Sequence, residues 1–227
     1  MNNKHFSISI FEDLAGAAGI ALNILFSPLT RPWFTRWGAT VEEVSRPLPG
    51  DEIVPQPRTG GTRAITIHAP VEAVWPWLAQ MGQGRGGLYS YERLENIAGC
   101  KIYNADEIIP NLPELQPGDR FKLGPEGYPF YPVFEVRHGQ ALILGDYDPA
   151  TGLGQSWVFY LEPAGPGSTR LIIRSRGSYQ PTTANTLIWK VLTEPVHFIM
   201  ERKMLLGIKA RVEYYAGTGR AAAGAAA

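Results

Sequence analysis

The side chains able to do chemistry are few and scattered. His197 is the best placed for acid–base work: it falls in a helical pattern near the C-terminus, with Tyr89 and Glu201 as partners across space. A histidine that simply fills core or surface is the plainer alternative. Arg85 projects from the glycine-rich run GQGRGG (residues 82–87), where a guanidinium could meet a carboxylate or carbonyl of a ligand; a helix C-cap carrying a surface arginine fits equally. Tyr89, Ser90 and Tyr91 offer hydroxyl donors on an otherwise apolar wall, or aromatic packing with incidental hydroxyls. In TRLIIRSRG, Arg170, Arg174 and Arg176 share a face with Ile172, opposite Leu171 and Ile173. If external, that face is a solvated edge. If it points inward, Arg174 is a buried cation awaiting an anionic ligand or a carboxylate such as Glu201.

Several chemistries find no support. GQGRGG matches G-x-G-x-x-G literally, but a dinucleotide fingerprint needs a strand before it, and here a helical pattern precedes it. His5, His68, His138 and His197 form no metal-ligand spacing, so neither metal nor cofactor is expected. No G-x-S-x-G elbow or P-loop occurs, and Asp106-Glu107 and Asp146/Asp148 sit beside turn signals. Lys and Arg total 21 against 21 Asp and Glu, so no basic excess points to nucleic acid. Cys100 is the single cysteine, which rules out an intrachain disulfide and fits a reducing, cytoplasmic setting.

The elements that must position these residues follow from periodicity. The 227 residues, 44% apolar and 19% charged, can bury one large core. Residues 1–31 form an apolar opening, helical over Leu14–Phe26 and stopped by Pro28 and Pro32. Its thirteen-residue apolar run spans only about 20 Å, short of a hydrocarbon core. Packing on the domain, peripheral membrane contact through residues 8–29, and a span reaching back to Phe6 all stay open. Residues 32–61 end in a Pro-rich strap, RPLPGDEIVPQP, and a compact domain is expected over 62–216, with a low-complexity, disordered tail at 217–227. Within the domain, RAITIHA alternates as a strand. PVEAVWPWLAQM is helical, with Pro76 predicting a kink or break, and a second short helix covers Tyr91–Ala98 up to Gly99. FKLG, VFEVRHG, ALILGDY, SWVFYLEP and TRLIIRSRGSY then read as antiparallel strands joined by hairpins. From Thr186 to Tyr215 the pattern is helical, interrupted at Pro195 with Thr193 as a cap, and striped by Val196, Met200, Met204, Ile208 and Val212. A curved antiparallel sheet around one long helix is an α+β arrangement that encloses a space.

This order of elements, together with WGAT (residues 37–40), PLPGDE (residues 47–52), WPWL-Q-GQGRGG-YSY and MER-ML-GIK (residues 200–209), resembles the SRPBCC superfamily of helix-grip proteins. That group includes START lipid-binding domains, birch-pollen-allergen-like proteins and polyketide cyclases; the likeness is to an uncharacterised bacterial branch. It implies a helix-grip fold with two short helices after the first strand, and a cavity for an apolar or amphipathic small molecule. No catalytic set is common to the superfamily, so none carries over. The expected lining is Trp77, Met81, Arg85, Tyr89, Tyr91, Trp157, Phe159, Arg174, His197, Met200, Glu201 and Met204. Binding of a lipid, isoprenoid or polyketide-like ring is the leading expectation. A metal-free cyclase, dehydratase or isomerase using His197 or Tyr89 is the second, and a membrane-attached interaction module the third. Oligomeric state is not encoded in any motif.

Overall fold

The computed structural model describes residues 9–218. His5 and the tail beyond Thr218 lie outside them. The chain runs α1 (Ile10–Leu25), α2 (Ser27–Phe34), α3 (Val41–Ser45), β1 (Thr59–Ile67), α4 (Val71–Ala79), α5 (Glu92–Ile97) and β2 (Arg120–Lys122). It continues through β3 (Phe130–Arg137), β4 (Ala141–Asp148), β5 (Leu153–Pro163), β6 (Thr169–Ser178), α6 (Thr183–Leu187), a π-helical turn (Ile188–Thr193) and α7 (Glu194–Gly217). Six antiparallel strands in the order β1-β6-β5-β4-β3-β2 form one sheet, which packs against α7. This is the α+β helix-grip arrangement.

Alternation decides the two faces of the sheet. Ile65, Ile67, Trp157, Phe159, Leu161, Leu171 and Ile173 point to the concave side and join Met204, Leu205, Ile208 and Val212 of α7 in the main core. The intervening residues Ala64, Ile172, Val158, Ala141 and Ile143 point to the convex side. There Leu48, Ile53 and Val54 of the strap bury them in two smaller clusters. Each large aliphatic or aromatic side chain removed from water contributes about 1.5–3 kcal/mol, so the strap is part of the fold on both counts of area and order.

Local rules yielded to packing at two of four prolines. α1 does end before Pro28, at Leu25, but a new helix starts at once; Pro28 sits in the first turn of α2, where its missing N–H leaves no bond unmade. Pro32 and Pro76 both lie inside continuous helices, and α4 is unbroken because Val74, Trp75, Trp77 and Leu78 anchor it in the core. Pro195 begins α7, but Thr193 does not cap it; its hydroxyl donates to Ile188 O within the π-helical turn. Residues 32–61 are also not wholly extended: α2 reaches Phe34, and α3 is closed by a Thr40–Glu43 capping box. The sheet itself begins three residues before Thr62, at Thr59.

Helix α1 packs on the domain with the opposite polarity from an ordinary surface helix. Its buried residues are Asp13 and Gly16, with Asp13 accepting from Arg93 at 3.0 Å and Gly16 lying against the Tyr91 ring. Ile10, Phe11, Leu14, Leu22 and Leu25 face outward, each more than half exposed. Among the described residues no single helix is long and apolar enough to cross a membrane; α1 and α2 pass such a test only as a pair bent by 111°.

Candidate functional site

The mouth of the grip lies where the first turns of α7 face β1, β5 and β6. Here Glu201, 2% exposed, is the centre of a buried polar network. Its Oε1 accepts from Arg63 at 2.6 Å, and its Oε2 accepts from the Trp157 indole at 2.8 Å. His197, one helical turn earlier, brings Nε2 to 2.9 Å from the same Oε2. A carboxylate only accepts, so Nε2 carries the proton and Nδ1 is left for another partner. Burial alone would raise the Glu201 carboxyl. The charges of Arg63 and His197, and the hydrogen bonds they donate, outweigh it and hold the group down to about 2. Arg63 is itself buried, with Nε donating to Phe34 O.

Beside this network is a cavity of about 30 Å³, lined by Thr59, Arg63, Tyr131, Gln155, Glu194 and His197 among others. That volume holds one or two waters, not a lipid. Tyr131 donates to Gln155 Oε1 at 3.1 Å, and burial with the nearby Glu201 charge pushes its phenol up to about 12. Glu194 accepts from Thr59 Oγ1 and takes a two-pronged bond from Arg31 on α2, at 2.6 and 2.9 Å. The π-helical turn covers the mouth. Trp189 on this turn lines the cavity and stacks on Tyr179 at 5.6 Å, while Leu187, Ile188 and Leu192 are half exposed or more.

Ten of the twelve predicted lining residues divide into four places. Trp157, His197 and Glu201 meet at the mouth as described, with Trp157 edge-on to His197. Trp77, Met81, Phe159 and Met204 are all within 1% of full burial and fill the concave interior instead of leaving it hollow. Tyr89 meets α7 at Gly207, ten residues and about 15 Å of helix beyond His197. Its hydroxyl is shared between Gln80 at 2.8 Å and Trp77 O at 3.2 Å, with Arg211 over its ring, so it is no partner of His197. Full burial pushes its phenol above the usual tyrosine range. Tyr91 and Met200 belong to the α1 side: the Tyr91 ring sits against Gly16, and the Met200 carbonyl accepts from Ser90.

Two expectations about arginine are corrected. Arg85 does not project freely; it donates to Ala79 O at 3.0 Å and Pro113 O at 2.7 Å. The glycine run around it is a tied turn, with Gly82 bridged to Gly87, Gly86 N bonded to Gln80 O, and Gln83 N bonded to Lys122 O. Tyr89 follows with φ of +55°, held by Asn104, which accepts from both Leu88 N and Tyr89 N. Gly207 of α7 permits this approach, because a Cβ there would stand 2.2 Å from Tyr89 O. Arg174 is neither a solvated edge nor a partner of Glu201. β6 is an interior strand, and Arg174 is 5% exposed on the convex face, bonded to Thr62, Asp51 and the carbonyls of Glu43, Val44 and Arg46.

Sequence reasoning missed Arg63, although it shares parity with Ile65 and Ile67 and so belongs to the core face. It also missed Thr59, Tyr131, Gln155 and Glu194, which no local pattern brings together.

No protein-family model and no curated protein matches the chain. Solved structures do align with it. A protein from Arthrobacter aurescens is 16% identical over 77% of this chain and 93% of its own, with a TM-score of 0.41. The Zhui aromatase/cyclase from Streptomyces sp. R1128 is 14% identical over 73% and 98%, at 0.38. CalC from Micromonospora echinospora, titled a self-sacrificing resistance protein, is 11% identical over 68% and 94%, at 0.39. At these identities and scores the likenesses carry no statement about activity, and the helix-grip description rests on the strand order and α7 themselves.

Proposed function

We propose that the protein binds a small apolar or amphipathic molecule at the mouth of the grip, its polar end against His197, Tyr131 and Gln155. The observation that supports this reading is the partly exposed His197, fixed by a fully buried carboxylate and lining the cavity. Because the cavity holds only one or two waters, a ligand must displace its cover. The π-helical turn is the displaceable part: it contributes no residue to the buried core, and π-helical hydrogen bonding is a poorer geometry than α.

Native mass spectrometry of the gently purified chain, followed by organic extraction, tests this. A stoichiometric apolar adduct, lost in His197→Ala, is the expected result. A clean apo mass, with no thermal shift across a lipid and polyketide panel, sinks the reading. Peripheral membrane contact through α1 and α2 belongs to the same proposal, since both helices touch the cover and expose Phe11, Leu14, Leu29 and Trp33. Flotation with neutral vesicles, reduced by Phe11→Ser/Leu29→Ser, is its check.

A second reading is favoured by one feature, the buried Glu201 that fixes Nε2–H of His197 and leaves Nδ1 unengaged by carboxylate. That arrangement suits proton transfer through Nδ1 in a cyclase or dehydratase. Turnover of an extracted ligand by wild type but not by His197→Asn would support it over simple binding.

A further inference from the structure

Outside the grip, on the far side of β1 and β6 from the main core, a groove of about 600 Å³ runs between α2 and the strap. Six arginines line it: Arg31, Arg36, Arg46, Arg58, Arg174 and Arg176. Asp51 is its one carboxylate, and Asp51 is already bonded to Arg174 at 2.6 Å and paired with Arg176 at 3.2 Å. Arg31 is matched by Glu194 and Arg46 by Glu162, each from outside the groove. Arg36 and Arg58 are exposed and have no carboxylate partner; the Arg36 side chain donates only to Pro32 O. The chain as a whole is neutral, so this gathering of one sign is local and not a general basic bias.

We propose that this groove binds a phosphate group, carried either on a soluble molecule or in an anionic lipid headgroup. Several guanidinium forks around one space suit a group with three or more acceptor oxygens, whereas a carboxylate is satisfied by a single fork. A concave wall with an excess of positive charge focuses the field, which raises local anion concentration beyond what scattered surface arginines achieve. A lipid source fits the geometry because α2 carries Arg31 on the groove side, with Arg36 just beyond its C-terminal end, together with the exposed Leu29 and Trp33.

The experiment compares the full chain with Arg36→Gln/Arg58→Gln, whose side chains tie no other elements together. Arg120→Gln/Lys122→Gln, in a separate basic groove, serves as the charge-matched control. The probes are inorganic pyrophosphate by calorimetry, and phosphatidylcholine vesicles with and without phosphatidylglycerol by sedimentation. We expect binding to at least one phosphate probe, weakened about tenfold in the groove variant and unchanged in the control. Pyrophosphate binding assigns a soluble source; arginine-dependent binding to the anionic vesicles alone assigns the headgroup. Absence of binding to both probes overturns the proposal. So does equal binding by wild type and groove variant, or an equal loss in the control. Failure here leaves the grip reading untouched, since the adduct experiment does not involve the groove.

Discussion

The two faces of the sheet both bury arginine, and they do so in opposite ways. On the concave face Arg63 is matched by the carboxylate of Glu201, a charge-for-charge arrangement completed by Trp157 and His197. On the convex face Arg174 has one carboxylate, Asp51, and otherwise donates to Thr62 Oγ1 and the backbone carbonyls of Glu43, Val44 and Arg46. The first is a network whose members depend on one another; the second is a fastener that ties the sheet to the end of α3 and the start of the strap. Removing one member of a buried ion pair leaves the other charge stranded, while loosening a fastener lets water reach the freed groups.

The largest expected effect is therefore concave. Glu201→Gln should cost about 3–5 kcal/mol in urea unfolding, because Arg63 stays buried without its counter-charge. Adding Arg63→Met should recover a good part of the loss; no recovery would mean that packing, not charge, separates the two faces. The pH dependence has a defined sign. Glu201 is held at about 2, below its usual 4.5, so its contribution is complete above pH 4.5 and is lost as pH falls toward 2. A loss on the order of 2–3 kcal/mol is expected over that window, and Glu201→Gln should flatten it.

Arg174→Met comes next, at about 2 kcal/mol, with the damage confined to the strap. Limited proteolysis should then cut between Leu48 and Pro57, where wild type resists. A uniform loss of stability with an intact strap would break the fastener picture. Smallest of all, Arg36→Gln and Arg58→Gln should each change stability by less than about 0.5 kcal/mol, since neither is buried or paired. A larger change would show that these arginines hold the groove walls together.

Much of the architecture was legible because it depends on neighbours in sequence. Period-two alternation located the strands and sorted their residues by face, and helical spacing located α4, α5 and α7. The same spacing placed Met204, Ile208 and Val212 on the buried side of α7 and misjudged only its first turns, where Phe198 and Glu201 are buried while Val196 and Met200 are half buried. Polar Glu201 and Arg211 occupy that buried side, and an apolar stripe alone cannot reveal positions where two charges satisfy each other. Prolines were over-read as stops, since a helix anchored by large buried side chains tolerates one lost hydrogen bond.

The amino-acid sequence by itself determined the class of fold, the order of its elements and the parity that places Arg63 and Arg174 on opposite faces. Only the tertiary structure decided that the convex face is roofed by the strap, that Tyr89 meets α7 at Gly207, ten residues beyond His197, and that Trp77, Met81, Phe159 and Met204 pack into the concave interior while a cavity of about 30 Å³ opens beside His197. The reason is range. Periodicity reports which way a side chain leaves its own backbone, over a few residues. What it then meets is set by segments more than a hundred residues away, as with Arg63 and Glu201 or Arg174 and Asp51, and close packing between such segments leaves or removes a cavity by differences of a single side chain.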